Sequence, residues 1–110
     1  MGIVSEGNVH DALAYLAEDP HPLAKANFEL TKATNAEKET WAKIYGDQQG
    51  SIKDKEAATD CDARVIAARA HTGHCEYEVE RHRSRARAAG MIIEVWRTEN
   101  ANARAAERIR

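Results

Sequence analysis

The sequence has few of the residues that build β-rich or membrane-spanning proteins. Its 110 residues include two prolines, six glycines and six aromatic residues. A sandwich or barrel needs a turn after each short strand, so this composition argues against such folds. No apolar run approaches the roughly 18 residues of a membrane-spanning helix, and the opening residues lack the basic and apolar segments of a signal peptide. We therefore expect neither a membrane protein nor a secreted one.

Cysteine is also scarce. Cys61 and Cys75 lie fourteen residues apart, which is roughly 21 Å if both belong to one helix with a rise of ~1.5 Å per residue. Two cysteines that far apart cannot form a disulfide within the chain. Together with the missing signal peptide, this predicts the reducing environment of a cytoplasm.

Alanine, by contrast, occupies 21 of the 110 positions, and charged residues make up 31%. Alanine has the highest helix propensity, and its small side chain lets helices approach closely. The length is that of one domain. The composition therefore predicts a single all-α domain over residues 1–110.

The positive charge is unevenly distributed along the chain. Residues 1–55 hold six lysines, no arginine and nine acidic residues, whereas residues 56–110 hold ten arginines, no lysine and nine acidic residues. Residues 81–110 contain eight arginines and three glutamates. Because arginine binds phosphate and carboxylate as a fork, such a segment suits an anionic partner.

Proline, glycine and capping residues divide the chain into helices. A short N-terminal helix is predicted over Ser5–Glu18, with Ser5 or Asn8 as its cap, and the prolines of residues 19–22 end it. A second helix is predicted from Leu23 to Tyr45, followed by a loop over residues 46–50. Ser51 is the expected cap of a short helical turn that ends at Ala58. The apolar stripes expected on the first two helices are Val9, Leu13 and Leu16, and then Leu23, Ala26, Leu30, Ala33, Trp41, Ile44 and Tyr45.

The last predicted helix is the longest element. It runs from about Asp60, with Thr59 or Asp60 as cap, to about Asn102, which is roughly 65 Å. It contains no proline, and either Gly73 or Gly90 is a possible break. One stripe comprises Ala63, Ile66, Ala70, Gly73, Tyr77, Ser84, Ala88, Met91 and Val95. The other comprises Val65, Ala68, Thr72, Cys75, Val79, His82, Ala86, Ala89, Ile93 and Trp96.

Both stripes are lined largely by small residues, so a helix of this length needs partners on both sides. The expected architecture is an antiparallel helical hairpin over residues 23–102, preceded by the short helix and proline turn of residues 1–22 and followed by a basic tail over residues 103–110. A second copy of the chain is expected to cover the remaining stripe, which makes the protein a homo-oligomer. The predicted oligomer interface comprises Ala86, Ala89, Ile93 and Trp96.

Residues that suggest metal binding or catalysis are few. His71, Cys75, Glu78 and His82 fall on a narrow strip of one helix face, and a His–Cys pair four residues apart can share a zinc ion. No CxxC or HExxH pattern accompanies them, so we interpret them as a partly polar packing seam and predict no metal or other cofactor. No nucleophile elbow, phosphate loop or paired-carboxylate motif occurs, and we expect no enzymatic activity.

The Arg-rich segment has two interpretations. Arg81, Arg83, Arg85 and Arg87 surround the helix, and Arg97 extends the positive charge. In one interpretation these five arginines bind the phosphates of a single-stranded nucleic acid, with Tyr77 and Trp96 as the aromatic residues available for stacking on bases. In the other, ion pairs such as Glu78–Arg81 and Glu80–Arg83 neutralise an exposed helix.

The order of elements resembles that of a known group of phage proteins. The residues that carry this likeness are Ile44-Tyr45-Gly46, Gly50-Ser51 and Ile93-Glu94-Val95-Trp96-Arg97, within roughly residues 23–100. The layout is similar to the recombination mediator proteins of T-even-type phages, which are small helical oligomers that bind single-stranded DNA and help to load a recombinase. The resemblance implies a non-enzymatic accessory protein of phage DNA metabolism in the host cytoplasm.

A second function class remains open. A small phage protein can also inhibit a host nuclease or defence enzyme through its helical surface. Its acidic N-terminal half, which includes Glu37, Glu39 and Asp47, would then imitate nucleic acid. Dependence on Arg83 and Arg87 favours the nucleic-acid binder, whereas dependence on these acidic residues favours the inhibitor.

Overall fold

The computed structural model describes residues 2–109, which form four α-helices and no strand. The helices are α1 (Glu6–Leu16), α2 (Pro22–Asp47), α3 (Ile52–Asp60) and α4 (Ala63–Ile109). The predicted all-α class, the short N-terminal helix and the long C-terminal helix are confirmed. No helix within residues 2–109 is long and apolar enough to cross a membrane.

Side-chain caps define where the helices begin. Ser5 Oγ accepts a hydrogen bond from the Asn8 amide at 3.1 Å, and Ser51 Oγ accepts one from the Asp54 amide at 3.1 Å. Each bond satisfies an amide that has no partner inside its helix. Ser5, one of the two predicted candidates, is therefore the cap of α1, and Ser51 is the cap of α3, as predicted. Gly50, directly before Ser51, has a φ of +112°, which glycine adopts without the steric cost of a Cβ.

The cap of α4 lies later than the predicted Thr59 or Asp60. Asp62 Oδ1 accepts from the Arg64 amide at 2.8 Å, and its carboxylate also binds the Arg64 guanidinium. These bonds, with the side-chain contact first, lower the pKa of the Asp62 carboxyl below its ordinary value. Thr59 is fully buried and bonds back to Lys55 within α3, while Asp60 binds side chains of α2 and α4.

Neither glycine interrupts the last helix. Gly73 and Gly90 both lie inside α4, which continues beyond the predicted Asn102 to Ile109. Most of the segment predicted as a basic tail is therefore helical, and its last residue, Arg110, lies outside the described range. Cys61 caps the C-terminal end of α3 and is not part of α4, and both Cys61 and Cys75 are free thiols.

The contacts divide the chain into two compact units, and the single domain over residues 1–110 stays a prediction. Unit 1 comprises Met1–Leu23 and Arg81–Arg110, and unit 2 comprises Ala24–Glu80. Each unit contains part of α4.

In unit 2, α2 runs antiparallel to the first part of α4. Ala33 lies beside Thr72, whose hydroxyl donates to the Ala33 carbonyl at 3.4 Å, and Glu37 lies beside Arg69, at 3.9 Å. As the residue number rises along α2, the number of the residue beside it on α4 falls, which is the arrangement of an antiparallel helical hairpin. The buried residues of this unit are Ala26, Ala33, Ile44, Thr59, Val65, Thr72, Cys75 and Val79.

In unit 1, α1 packs antiparallel on the last part of α4. Its buried residues are Val9, Ala12 and Tyr15, in place of the predicted Val9, Leu13 and Leu16. Tyr15 displaces the leucines because its ring fills the core while its hydroxyl finds partners on His82. The leucines lie on the exposed side of α1.

The contact with α1 covers part of the predicted oligomer interface. Ala89 belongs to the core of unit 1 with Ala12 and Tyr15, and Ala86 and Ile93 pack against that core. The chain therefore covers much of this stripe itself. The stripe that stays exposed within unit 1 is the other one, including Met91, which is 63% exposed, and Val95.

Candidate nucleic-acid interface

A row of arginines follows one face of α4 within unit 1. The row, here called the Arg strip, comprises Arg83, Arg87, Arg97, Arg104 and Arg108, all exposed. Gly90, Glu94 and Ala101 lie between these arginines on the same face. Counted together, the eight positions lie alternately four and three residues apart. At about 100° per residue these positions share one face of a helix. The Arg strip therefore presents five guanidinium groups in one direction.

The other two arginines of the predicted cluster, Arg81 and Arg85, lie outside the Arg strip, and Arg85 faces α1. The guanidinium of Arg85 lies 4.1 Å from the centre of the Tyr15 ring, a cation–π contact. Arg81 Nη2 lies 3.3 Å from His82 Nε2. The structure therefore divides the five predicted arginines: Arg83, Arg87 and Arg97 belong to the Arg strip, whereas Arg85 contacts Tyr15 of α1 and Arg81 contacts His82.

Tyr15 organises that interface. Its hydroxyl donates to the His82 carbonyl at 3.1 Å and lies 3.2 Å from His82 Nδ1. The ring also meets the His21 ring edge-on at 4.9 Å. His21 in turn accepts a hydrogen bond from the Leu23 amide at the start of α2, at 3.0 Å. One buried side chain thus connects α1, the turn before α2 and α4, which orients this part of α4.

Trp96 lies half-buried beside the Arg strip. An open depression of about 730 Å³ is lined by Trp96, Arg97, Arg104 and Glu107, among other residues. A second depression, of about 500 Å³, borders the same indole and is lined by acidic residues that include Glu99. The first combines an aromatic ring with two guanidinium groups, which are the groups that bind an unpaired base and its phosphates.

The charges on this part of α4 favour an anion. Residues 81–109 contain seven arginines and three glutamates. Glu94 lies 3.9 Å from Arg97 in an exposed contact that contributes little in water. Glu99 accepts a hydrogen bond from the Ile3 amide at 2.6 Å and is thus directed toward the N-terminal segment. The net charge of the Arg strip is therefore strongly positive.

The suggested metal ligands do not form a ligand cluster. Cys75 is buried, with its Sγ 3.8 Å from His71 Nε2. Nowhere within residues 2–109 do three or more histidine, cysteine or acidic side chains lie close enough together to hold an ion. Tyr77, the other aromatic residue suggested for stacking, is 61% exposed and belongs to unit 2.

Arg104 and Arg108 were not among the predicted nucleic-acid-binding residues and were assigned to the basic tail. They lie seven and eleven residues after Arg97, which are spacings that indicate the same helix face. The sequence analysis also missed Tyr15. No local pattern distinguishes a tyrosine that packs on a distant arginine from one that is exposed.

Comparison with known proteins gives no relative for this chain. No protein-family model, no curated protein and no solved structure matches it. The resemblance to phage recombination mediators therefore stays a prediction, and the function must be argued from the site itself.

Proposed function

We propose that this protein binds single-stranded nucleic acid through the Arg strip and Trp96. The observation that carries the proposal is the depression in which Trp96 lies beside Arg97 and Arg104, in line with Arg83 and Arg87. The guanidinium groups bind phosphates without regard to base sequence. The indole stacks on a base, which a single strand exposes and a duplex hides.

The corresponding biological role is that of a non-enzymatic accessory protein of phage DNA metabolism, such as a recombination mediator. Such a protein acts by holding a strand and presenting it to another protein. Several linked copies would bind one strand with high avidity, because each additional contact is intramolecular.

The salt dependence of binding tests the phosphate contacts. With four or five arginines on phosphates, the log–log plot of affinity for a labelled oligonucleotide against salt should have a slope of about −3, at roughly 0.7 per contact on single strands. Replacement of both Arg83 and Arg87 by alanine should make the slope shallower by about 1.4. Fluorescence anisotropy at several salt concentrations measures both slopes.

A matched control separates a local effect from one of net charge. Lys25 and Lys43 are exposed lysines on α2, in unit 2. Their replacement by alanine removes the same charge outside the Arg strip and should leave the slope unchanged. If the unmodified protein, the Arg83 and Arg87 variant and the lysine variant all had equal slopes, the proposal would be contradicted.

Absence of binding even at low salt would favour the second candidate, an inhibitor of a host nuclease or defence enzyme. Glu39 and Asp47 are exposed on α2, whereas Glu37 is half-buried beside Arg69. That function would be identified if replacement of Glu39 and Asp47 abolished inhibition of the enzyme and replacement of Arg83 and Arg87 did not.

Self-association has its own test. The exposed apolar residues Met91 and Val95 provide unit 1 with surface that a second copy can bury. Light scattering at micromolar concentration should therefore give a multiple of 12.2 kDa. Met91→Glu should lower that mass and Ala101→Glu, at an exposed site on the Arg strip face, should not. A mass of one chain for the unmodified protein would refute self-association.

A further inference from the structure

Unit 2 contains an open cavity that the Arg strip does not use. The cavity has a volume of about 320 Å³ and is lined by Glu37, Lys38 and Trp41 of α2 and by Arg69 of α4. That volume lies at the lower end of the range for small-molecule sites, about 300–1,000 Å³. The lining offers one aromatic surface, one carboxylate and two cationic groups, a combination that suits a planar polar ligand.

The aromatic wall of the cavity is held in place. Trp41 Nε1 donates to Asp60 Oδ1 at 3.1 Å. Its indole also stacks on Tyr45 at a centroid distance of 4.9 Å and an angle of 13°, with Lys55 Nζ 4.4 Å from the Tyr45 ring. Tyr45 follows Trp41 by one helical turn, whereas the cavity residues of α2 precede it by one turn. The cavity residues of α2 and Tyr45 thus lie on opposite sides of Trp41 along the helix, and Trp41 itself lines the cavity, where it offers its indole to a planar ligand.

Asp60 Oδ1 also binds Arg69, one of the two cationic residues that line the cavity. Arg69 Nη2 donates to Asp60 Oδ1 at 2.8 Å. The hydrogen bond from the Trp41 indole, followed by that from Arg69, lowers the pKa of the Asp60 carboxyl below its ordinary value of 3.8. Asp60 is therefore ionised at neutral pH and fixes both walls before a ligand arrives, which reduces the entropy lost on binding.

Glu37 supplies the acceptor of the cavity. Its carboxylate oxygen lies 3.9 Å from Arg69 Nε, an ion-pair distance too long for a direct hydrogen bond. The side chain is 26% exposed, so its oxygens are partly shielded from water. A carboxylate is an acceptor with two oxygens, and it therefore selects ligands that present two neighbouring N–H donors.

We propose that this cavity binds a guanine base. Guanine carries two adjacent donors, its ring N1–H and its exocyclic amino group, on the edge that is exposed when the base is unpaired. These donors match the two oxygens of Glu37, while the purine ring stacks on Trp41. Lys38 and Arg69 are donors for the carbonyl oxygen of the base or for a phosphate.

The same chemistry disfavours the other bases. Adenine and cytosine each place a ring nitrogen acceptor beside their amino group, so one oxygen of Glu37 would face a lone pair. Thymine has a single N–H between two carbonyl oxygens, which a carboxylate repels. A well-placed bidentate pair of this kind discriminates between bases by roughly one to two orders of magnitude.

The site does not depend on the proposed single-strand function, because all its residues belong to unit 2 and none to the Arg strip. The guanine can come from a free nucleotide or from an unpaired base of a nucleic acid. Guanosine 5′-monophosphate and oligothymidine strands with and without one guanine are the probes that distinguish the two sources.

The experiment follows the two tryptophan indole N–H resonances of the full chain by NMR, assigned with a Trp41→Phe variant. Guanosine monophosphate or the guanine-containing strand should shift the Trp41 signal saturably at concentrations up to about 1 mM. Adenosine monophosphate and plain oligothymidine should shift the Trp41 signal only at concentrations at least roughly tenfold higher, because an oligothymidine strand bound at the Arg strip leaves the cavity empty. Saturation by the free nucleotide identifies that source, and saturation by the strand alone identifies the nucleic-acid base.

Variants decide whether Glu37 is responsible. Glu37→Gln should reduce guanine binding by roughly tenfold or more, and Glu39→Gln, an exposed neighbour on α2, should not. Equal binding of guanosine and adenosine monophosphates, no saturable shift with any probe, or equal effects of the two variants would overturn the proposal. The Arg83 and Arg87 double variant should keep the nucleotide-induced shift even if the oligonucleotide salt experiment fails, so the two proposals stand or fall separately.

Discussion

Replacement of Tyr15 by alanine should lower the free energy of unfolding by about 3–5 kcal/mol, as expected for the loss of a buried aromatic side chain. Tyr15 is 3% exposed and forms the core of unit 1 with Ala12 and Ala89. Its loss leaves a cavity under α1, removes the hydroxyl partner of His82 and takes the ring away from Arg85. Urea unfolding followed by helical circular dichroism measures the difference.

Two other tyrosine variants test the cause. Tyr77 is 61% exposed on α4, so Tyr77→Ala should change stability by no more than about 0.5 kcal/mol. Tyr15→Phe keeps the ring and removes only the hydrogen bonds to His82, which should cost about 0.5–1.5 kcal/mol. If Tyr15→Ala and Tyr77→Ala had equal effects, the packing of α1 on α4 would be refuted.

Ile44→Ala should have the second large effect, a loss of about 2–5 kcal/mol. Ile44 is 2% exposed in unit 2, near the C-terminal end of α2. The substitution removes buried apolar atoms and leaves a cavity that the surrounding helices fill only partly. The midpoint of urea unfolding should fall while its slope stays constant, since the surface exposed on unfolding hardly changes.

Ile52 provides the matched control. It is the first residue of α3 and is 67% exposed, so Ile52→Ala removes the same atoms from a solvated position and should change stability by no more than about 0.5 kcal/mol. A loss at Ile52 as large as the loss at Ile44 would contradict the burial pattern of unit 2.

Local chemistry in the sequence determined the helices. α1 ends at Leu16, before the prolines of residues 19–22, and α2 begins at Pro22, because proline suits the first position of a helix and disfavours helical angles in the residue before it. Ser5 and Ser51 begin helices because their hydroxyls satisfy free amides. The α2 stripe is also largely recovered, since Ala26, Ala33 and Ile44 are buried at helical spacing. These effects act over one or two turns, so the residues concerned are close together in the sequence.

Part of the candidate interface was also visible in the sequence. Arg83, Arg87 and Arg97 were selected because arginine is dense in this segment, and the structure places all three on one face. The cavity at Trp41 was not visible, because Asp60, which binds Trp41, is the last residue of α3 and lies beyond the end of α2 and a loop. Its position depends on how α2 and α4 pack.

The sequence by itself determined that the chain is helical, where most helices begin and end, and that its arginines gather in the second half. Only the tertiary structure decided which sides of α1 and α4 are buried. On α1, leucine and tyrosine positions compete for the core, and Tyr15 is buried because His82 and Arg85, more than sixty residues away, contact its hydroxyl and its ring. The two stripes of α4 are similarly weak, and the one that α1 and α2 cover is chosen by packing between distant segments.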